Sequence, residues 1–290
     1  MNEMYIHSVS TFTAEGHTDT DYLKEEIRRY TNENFRRVSR FILLALLGAR
    51  QCINAHTLDG ETAIYLTTEH GNLGETADVL DEIYAVSSLP KPYGFINTMS
   101  GTAAFYLARN LGIRGRNITM SSQHLSFERG LELLKVDFAG GVATSALIGG
   151  VDDASLSRTS MEDHTDRGWR MVNGSGWFYV RRDRDGACGA FTEIKSFGSG
   201  TSCMRWISEK ERSSVEMVSF GALIGDEEAA ALRKILKPPA EFDYLSDYGY
   251  CGSATACGIS MFVKLFPGKT LLHINRDQRG NYAVIELAQF

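Results

Sequence analysis

Strand-like and helix-like runs alternate along almost the whole of this sequence. That alternation confines the chain to layered α/β architectures, in which helices cover buried strands. The opening run "MYIHSVSTF" alternates like a strand, and "TDTDYLKEEIRRY" follows with helix-start chemistry, Thr18 or Asp19 serving as the cap. "RRVSRFILLALLGARQCINA" (36–55) is dense enough in apolar residues for a nearly buried helix, and "TAIYLTTEHG" is a β-prone strand closing at Gly71. "NLGETADVLDEIYAV" has the helical period, and Pro90 and Pro92 break the chain before a further helix in "YGFINTMSGTAAFYLARNLGI". After "ATSALIGGVDD", a short buried strand, "GWRMVNGSGWFYVRRD" and "GACGAFTEIKSFGSG" read as two strands joined by a turn at 183–186. The second half repeats the theme with the strand "SSVEMVSFGAL" and the helix "GDEEAAALRKIL", whose acidic first turn suits the positive end of the helix dipole. A small-residue turn into the apolar helix of "YGYCGSATACGISMFVKLFPG" and the strands "KTLLHINRD" and "GNYAVIELAQF" close the chain. Each half holds a strand, a helix, a glycine-rich turn, another helix and closing strands, a faint internal duplication.

Composition removes several function classes. A chain of 290 residues allows one large domain or two ordinary ones. With 36 acidic against 30 basic residues and a formal charge of −6, it has no basic face of the kind nucleic acid requires. Arg36, Arg37 and Arg40, and the pair Arg114 and Arg116, are local basic groups that read as solvated surface. The five cysteines, Cys52, Cys188, Cys203, Cys251 and Cys257, are odd in number and scattered, with no CxxC and no histidines near the 251–257 spacing. No metal site is expected, and the thiols point to a reducing compartment. No signal peptide is expected, and the longest apolar run, "FILLALLGA", is far short of a membrane span. The expectation is a cytoplasmic protein without cofactor.

The stretch "NITMSSQHLSFERG" (117–130) is a strand running through a polar turn into a helix. Many enzymes hold a nucleophile at such a junction, and this one has no cysteine. Ser122 lacks the glycine-flanked elbow of hydrolases, and His124 stands at i+2, where helical side chains do not face each other. Ser122 reads as an N-cap for the helix that follows. Gly149, Gly150, Gly174 and Gly176 lack the strand-to-helix context of a phosphate loop, so close backbone packing is expected there. Cys251 and Cys257 read as small buried packers. His7, His17 and His56 have no partner that the sequence names.

In collinear order, the chain resembles the β-ketoacyl synthases, of the thiolase fold. "RRVSRFILLALLGARQCI" looks like their arginine-rich first core helix. "LPKPYGFINTMSGTAAFYLARNLGIRG" is similar to their "P..F.N…A…A..LG..G" segment, and "SFERGLELLKVDFAGGVATSALIGGVDD" to the helix after the nucleophile and the strand ending "GGVD". "GWRMVNGSGWFYVRR", "GDEEAAALRKIL", "GYCGSATACGISM" and "GNYAVIELAQF" resemble further family segments in turn. The resemblance implies a five-layered α/β/α/β/α fold of two related halves, 1–204 and a shortened 205–290, packed as one globular unit. The shortening falls between Gly200 and Val215 and around Lys237–Tyr248.

A condensing enzyme of this family needs a cysteine at a helix N-terminus, where the positive helix end favours the thiolate, and two histidines for the charge that develops on decarboxylation. Here the nucleophile position falls on Ser122, Gln123 or His124, and spacing does not choose among them. The first histidine's run matches Ser219, Phe220, Gly221 and Ala222, and the second's matches Gly249, Tyr250, Cys251 and Gly252. The one histidine after Arg205 is His273. Rescue by a histidine from elsewhere falls to His124 or a spatial neighbour such as His70 or His164. Gln123 is the most suggestive substitute, because glutamine often replaces the cysteine in chain-length factors and its amide can donate to a thioester oxygen.

The resemblance therefore implies a catalytically inactive, chain-length-factor-like subunit. It would pair with an active ketosynthase in type II fatty-acid, polyketide or polyene synthesis and meet the acyl carrier protein only indirectly. Asn117, Ile118, Thr119 and Met120 would form the pairing strand, and Phe95, Met99, Met120 and Phe127 would line the acyl tunnel. The alternatives are an acyl-carrier-thioester decarboxylase or acyltransferase using Gln123, Ser122 or His124, and a homodimeric acyl-binding protein.

Overall fold

The computed structural model describes residues 4–16, 18–154, 167–209, 215–238 and 240–290; His17 and His164 lie outside these residues. The first repeat of the fold begins with β1 (Met4–Glu15), α1 (Thr20–Arg28) and α2 (Arg40–Cys52). Asp19 caps α1 by accepting the Asp21 N–H at 3.0 Å. Ser39 caps α2 by accepting from Ile42 at 3.3 Å, and Phe41 through Ala49 are all buried, as the apolar density of that run requires. β2 (Ala63–Thr67), α3 (Leu73–Tyr84), α4 (Pro92–Asn97) and α5 (Gly101–Leu111) follow, then β3 (Asn117–Met120), α6 (Ser126–Ala139), β4 (Ser145–Asp152) and β5 (Val172–Arg181).

The second repeat is more compact: β6 (Gly189–Phe197), α7 (Gly200–Glu209), β7 (Met217–Phe220), α8 (Asp226–Leu236), β8 (Ala240–Glu241), α9 (Tyr244–Tyr248), α10 (Ala254–Leu265), β9 (Thr270–Arg276) and β10 (Tyr282–Gln289). In α8, Asp226, Glu227 and Glu228 occupy the first turn and Arg233 and Lys234 the last, so both helix ends meet charges of the favourable sign.

The ten strands form one sheet in the order β3-β2-β4-β5-β1-β6-β10-β9-β7-β8. Within β1–β5, β2 runs parallel to β3 and β4, and β5 is antiparallel to β4 and β1. Within β6–β10, β7 runs parallel to β8 and β9, and β10 is antiparallel to β9 and β6. Each strand of the first set has its counterpart five strands later, so the faint sequence duplication is a topological one. By strand order the change-over lies between Arg181 and Gly189, whereas the halves expected above divide at 204, within α7. The two sets join over three residue pairs, Met4–Phe191, Tyr5–Ala190 and Ile6–Gly189.

Three hydrophobic cores separate the layers. Alternate residues of each strand go to opposite cores: Ile64 and Leu66 of β2 pack with α1, α2 and α5, while Tyr65 faces the other way. On that inner side, Phe127, Leu131, Leu134 and Phe138 of α6 and Ile259, Phe262 and Val263 of α10 share a core with both repeats, reaching Ile148 and Phe178 of the first and Leu271 and Leu287 of the second. Beyond the second repeat, Val218, Leu272, Ile274 and Val284 pack with α7 and α8. The result is α/β/α/β/α, with α6 and α10 in the middle layer. Each fully buried aliphatic or aromatic side chain contributes about 1.5–3 kcal/mol by leaving water. The close approach of α10 to β5 depends on Gly176, where a Cβ would stand 2.6 Å from the Ala256 carbonyl carbon. None of the helices among the described residues is long and apolar enough to cross a membrane.

Candidate functional site

The C-terminal ends of parallel strands β2 and β4 and the N-terminus of α6 converge where α/β folds place their ligands. β3 ends at Met120, and the turn to α6 is fastened from inside the helix. Ser126 Oγ donates to the Gln123 carbonyl at 2.6 Å and accepts from the Ser122 N–H at 2.9 Å. Ser122 is therefore no helix cap. The cap position is Leu125, with no side-chain cap, because Ser126 already closes the turn. Gln123 is exposed and its φ of 50° lies in the left-handed region, a strained conformation for a residue with a Cβ. Of the three residues open at the nucleophile position, Gln123 alone is so placed, at the apex of the turn.

His124 turns inward instead. Its Nδ1 stands 3.0 Å from Glu69 Oε1, and both side chains are about nine-tenths buried. Glu69 lies in the loop after β2, where Asp152 at the end of β4 organises the backbone. The Asp152 carboxylate accepts from Thr68 Oγ1 at 2.8 Å, from the Glu69 N–H at 3.0 Å and from the His70 N–H at 3.0 Å. Ser121 Oγ donates to the Glu69 carbonyl at 2.9 Å, and Tyr250 Oη donates to Glu69 Oε2 at 3.3 Å. Burial first, then the negative charge of Asp152, pushes the Glu69 acid up to about 8. Burial likewise raises Asp152, against the pull of His70, whose Nδ1 is 3.8 Å away.

The second repeat completes the cluster. Met217 and Leu271 face the middle core, so Ser219, His273 and Asn275 face it too. Ser219 Oγ is 2.9 Å from His273 Nδ1, and His273 Nε2 is 3.4 Å from Thr255 Oγ1 and 3.7 Å from Glu128 Oε1. Asn275 Nδ2 donates to Glu128 Oε1 at 2.7 Å and to the His124 carbonyl at 2.9 Å, linking β9 to the turn ahead of α6. Ser219, His273 and Glu128 have the partners of a serine nucleophile, but each is at most 1% exposed, so the arrangement is sealed within the core. The Glu128 Oε2 atom is buried there without a partner.

Of the positions that the resemblance sets against the family's histidines, Ser219 joins this cluster, while Phe220 packs toward the outer core. Cys251 is buried in the middle core beside Cys257. The Cys257 thiol is held far above its usual range, first by its hydrogen bond with Cys251 and then by burial. Gly252 presses on the acids, because a Cβ there would stand 2.6 Å from Glu69 Cβ. The cysteine positions are thus packing positions, as the sequence suggests. Sequence reasoning missed Glu69, Glu128, Asp152, Tyr250, His273 and Asn275 as members of one site.

The four tunnel candidates have different surroundings in the chain. Phe127 belongs to the middle core against Phe178, with ring centroids 5.4 Å apart, since its face of α6 points between the repeats. Phe95 and Met99 are exposed, and Met120 is half-buried at the end of β3. The pairing-strand candidates Asn117, Ile118, Thr119 and Met120 form the sheet edge, bonded on one side to β2. Asn117 Nδ2 donates to the Ala104 carbonyl at 3.0 Å, tying that edge to α5.

No family model and no curated protein matches the sequence. Solved structures do. The chain is similar to the ishigamide ketosynthase/chain length factor over 99% of both chains, with a TM-score of 0.77 at 16% identity. The ketosynthase ApeO in complex with its chain length factor ApeC, from Xenorhabdus doucetiae, matches over 100% of this chain and 98% of that one, with a TM-score of 0.75 at 13% identity. The 3-oxoacyl-(acyl carrier protein) synthase III FabH from Pseudomonas aeruginosa PAO1 matches over 99% and 98%, with a TM-score of 0.64 at 16% identity. This chain has the ketosynthase fold. On the ketosynthase fold it carries a serine, a glutamine and a histidine at the head of α6, and a buried acid–imidazole network behind them.

Proposed function

We propose that the chain is a catalytically silent, chain-length-factor-like subunit. It pairs with an active β-ketoacyl synthase in type II fatty-acid, polyketide or polyene synthesis, works in the cytoplasm, and walls off the far end of its partner's acyl tunnel. One observation carries the reading: a ketosynthase fold presents Gln123, in a left-handed conformation, at the apex of the turn ahead of α6. An amide there can donate to an acyl oxygen but cannot take up the acyl group. The groups behind it are tied to one another: His124 to Glu69, and Ser219 to His273.

Pairing has a surface available. β3 is an edge strand, and an unpaired edge is a template for a second chain. An exposed apolar side chain, Phe105, stands on α5, the helix packed against β3. The test is co-expression with the products of the neighbouring genes, followed by size-exclusion chromatography and identification of any ketosynthase in the peak. A shared peak holding both chains is expected. A peak of this chain alone, as a dimer, would favour the homodimeric acyl-binding alternative.

A second reading has its own observation. The His124–Glu69–Tyr250 arrangement could move a proton at the head of α6, as an acyl-carrier-thioester decarboxylase or acyltransferase would require. Incubation with malonyl-carrier protein separates the two readings: release of CO2 that disappears in Gln123→Ala would favour the enzyme.

A further inference from the structure

At the opposite end of β2 and β4 from the junction, the loop after α2, the start of β4 and the end of β5 enclose an open cavity of about 470 Å³. That volume falls in the range of small-molecule sites. Two consecutive arginines line it. Arg181 Nη2 is held by Asp183 Oδ2 at 2.8 Å, whereas the Arg182 guanidinium has no ion-pair partner among the described residues. The Arg182 backbone N–H donates to the Thr144 carbonyl at 3.2 Å, which fixes the end of β5 against the start of β4. Thr57, Thr144 and Ser145 also line the wall, the Ser145 hydroxyl being shared with Thr62 Oγ1 at 3.0 Å. Tyr179 is buried behind them, with the His7 and His56 rings at 6.0 and 5.4 Å from its own.

The charged groups of the wall are Arg181 and Arg182 against Asp59 and Asp183, and Arg181 is already paired with Asp183. Burial, then His7 and Arg181, hold the His56 imidazole below its usual range. Asp59 supplies the one carboxylate on the wall besides Asp183, and its Oδ1 accepts from the Glu61 N–H at 3.2 Å. A guanidinium without a partner, beside hydroxyl donors, suits a phosphate oxygen set. A bare phosphate would leave most of the space to water. A ligand with a second anionic group would meet Asp59, whereas one with hydroxyl donors would satisfy it.

We propose that this cavity binds a small phosphomonoester that also carries hydroxyl groups. Arg182 and the threonine hydroxyls hold the phosphate, and Asp59 accepts from the ligand's hydroxyls. The site is independent of the pairing surface and of the cluster around Glu69, and it stands or falls separately from the function proposed above.

The experiment is a proton NMR titration of the His56 ring in the full chain, with sodium chloride at matched ionic strength as the control. The probes are inorganic phosphate and glycerol 3-phosphate. Both should raise the pH midpoint of His56, because an anion offsets Arg181 and His7, and glycerol 3-phosphate should bind several-fold more tightly. Arg182 is exposed, so Arg182→Ala should leave the far-UV spectrum unchanged while weakening both ligands about tenfold or more, the loss expected for a charge-assisted contact. Asp59→Asn should weaken glycerol 3-phosphate alone. A His56 midpoint unmoved by either probe, or Arg182→Ala binding as tightly as the parent chain, overturns the site. Equal affinity for both probes, unchanged by Asp59→Asn, overturns the hydroxyl-bearing ligand.

Discussion

His124 Nδ1 lies 3.0 Å from Glu69 Oε1, so the turn ahead of α6 is clasped to the loop after β2 by a buried acid–imidazole pair. Burial and Asp152 raise the Glu69 acid from 4.5 to about 8 in the folded chain. The folded state therefore holds this proton more tightly than the unfolded state does. The resulting stabilisation is complete below about pH 4.5 and is lost as pH rises through about 8. Glu69→Gln keeps the shape and removes the titration. Urea unfolding at pH 5 and pH 8.5 should show a clear loss of stability in the parent chain and a smaller one in the variant. Equal losses would remove Glu69 from the account.

Gly176 faces the backbone of α10, with Ala256 C 2.6 Å from where a Cβ would be. A helix backbone cannot yield as a flexible side chain can. Gly176→Ala should cost about 1–3 kcal/mol by overpacking, read from urea midpoints. A variant as stable as its parent would mean that α10 and β5 are less tightly joined than described.

Phe127 packs in the middle core against Phe178 and is 2% exposed. Phe127→Ala should cost about 3–5 kcal/mol, as a large aromatic deletion from a core does. If it were a tunnel residue, the loss of stability would be small and the effect would appear in the products of the paired enzyme.

Gln123 is one of four non-glycine residues with positive φ among the described residues. Gln123→Gly should therefore leave thermal stability level or raise it slightly, since relief of strain of about 1 kcal/mol is offset by backbone entropy. Gln123→Val should lower it, because a β-branched side chain suits that conformation worst. The reverse order would mean that the apex of the turn lies at another residue.

Much of the layer order was legible because strand runs and helix runs differ in period, and because the apolar density around Phe41–Ala49 leaves little room for another reading. α7 was missed: "GTSCMRWISE" is small and polar at its start, and only Cys203 and Ile207 are buried. β8 and α9 are too short to carry a period. The junction was legible as a strand, turn and helix, but Ser126, not Ser122, fastens it, since a residue inside the helix can reach back across the turn. The cluster was not legible, because Glu69, Asp152, Tyr250 and His273 meet only through sheet pairing and helix packing. One local signal existed. In "TLLHINR", His273 and Asn275 lie two apart in an otherwise apolar buried strand, which puts two polar groups on one inner face.

The most direct measurement is the intact mass of the purified chain after incubation with an acyl-loaded carrier protein, alone and together with the active ketosynthase. The account predicts an unmodified mass for this chain in both mixtures, with the acyl group found on the ketosynthase alone. An acyl adduct on this chain, at Ser122 or any other side chain of the site, would contradict it.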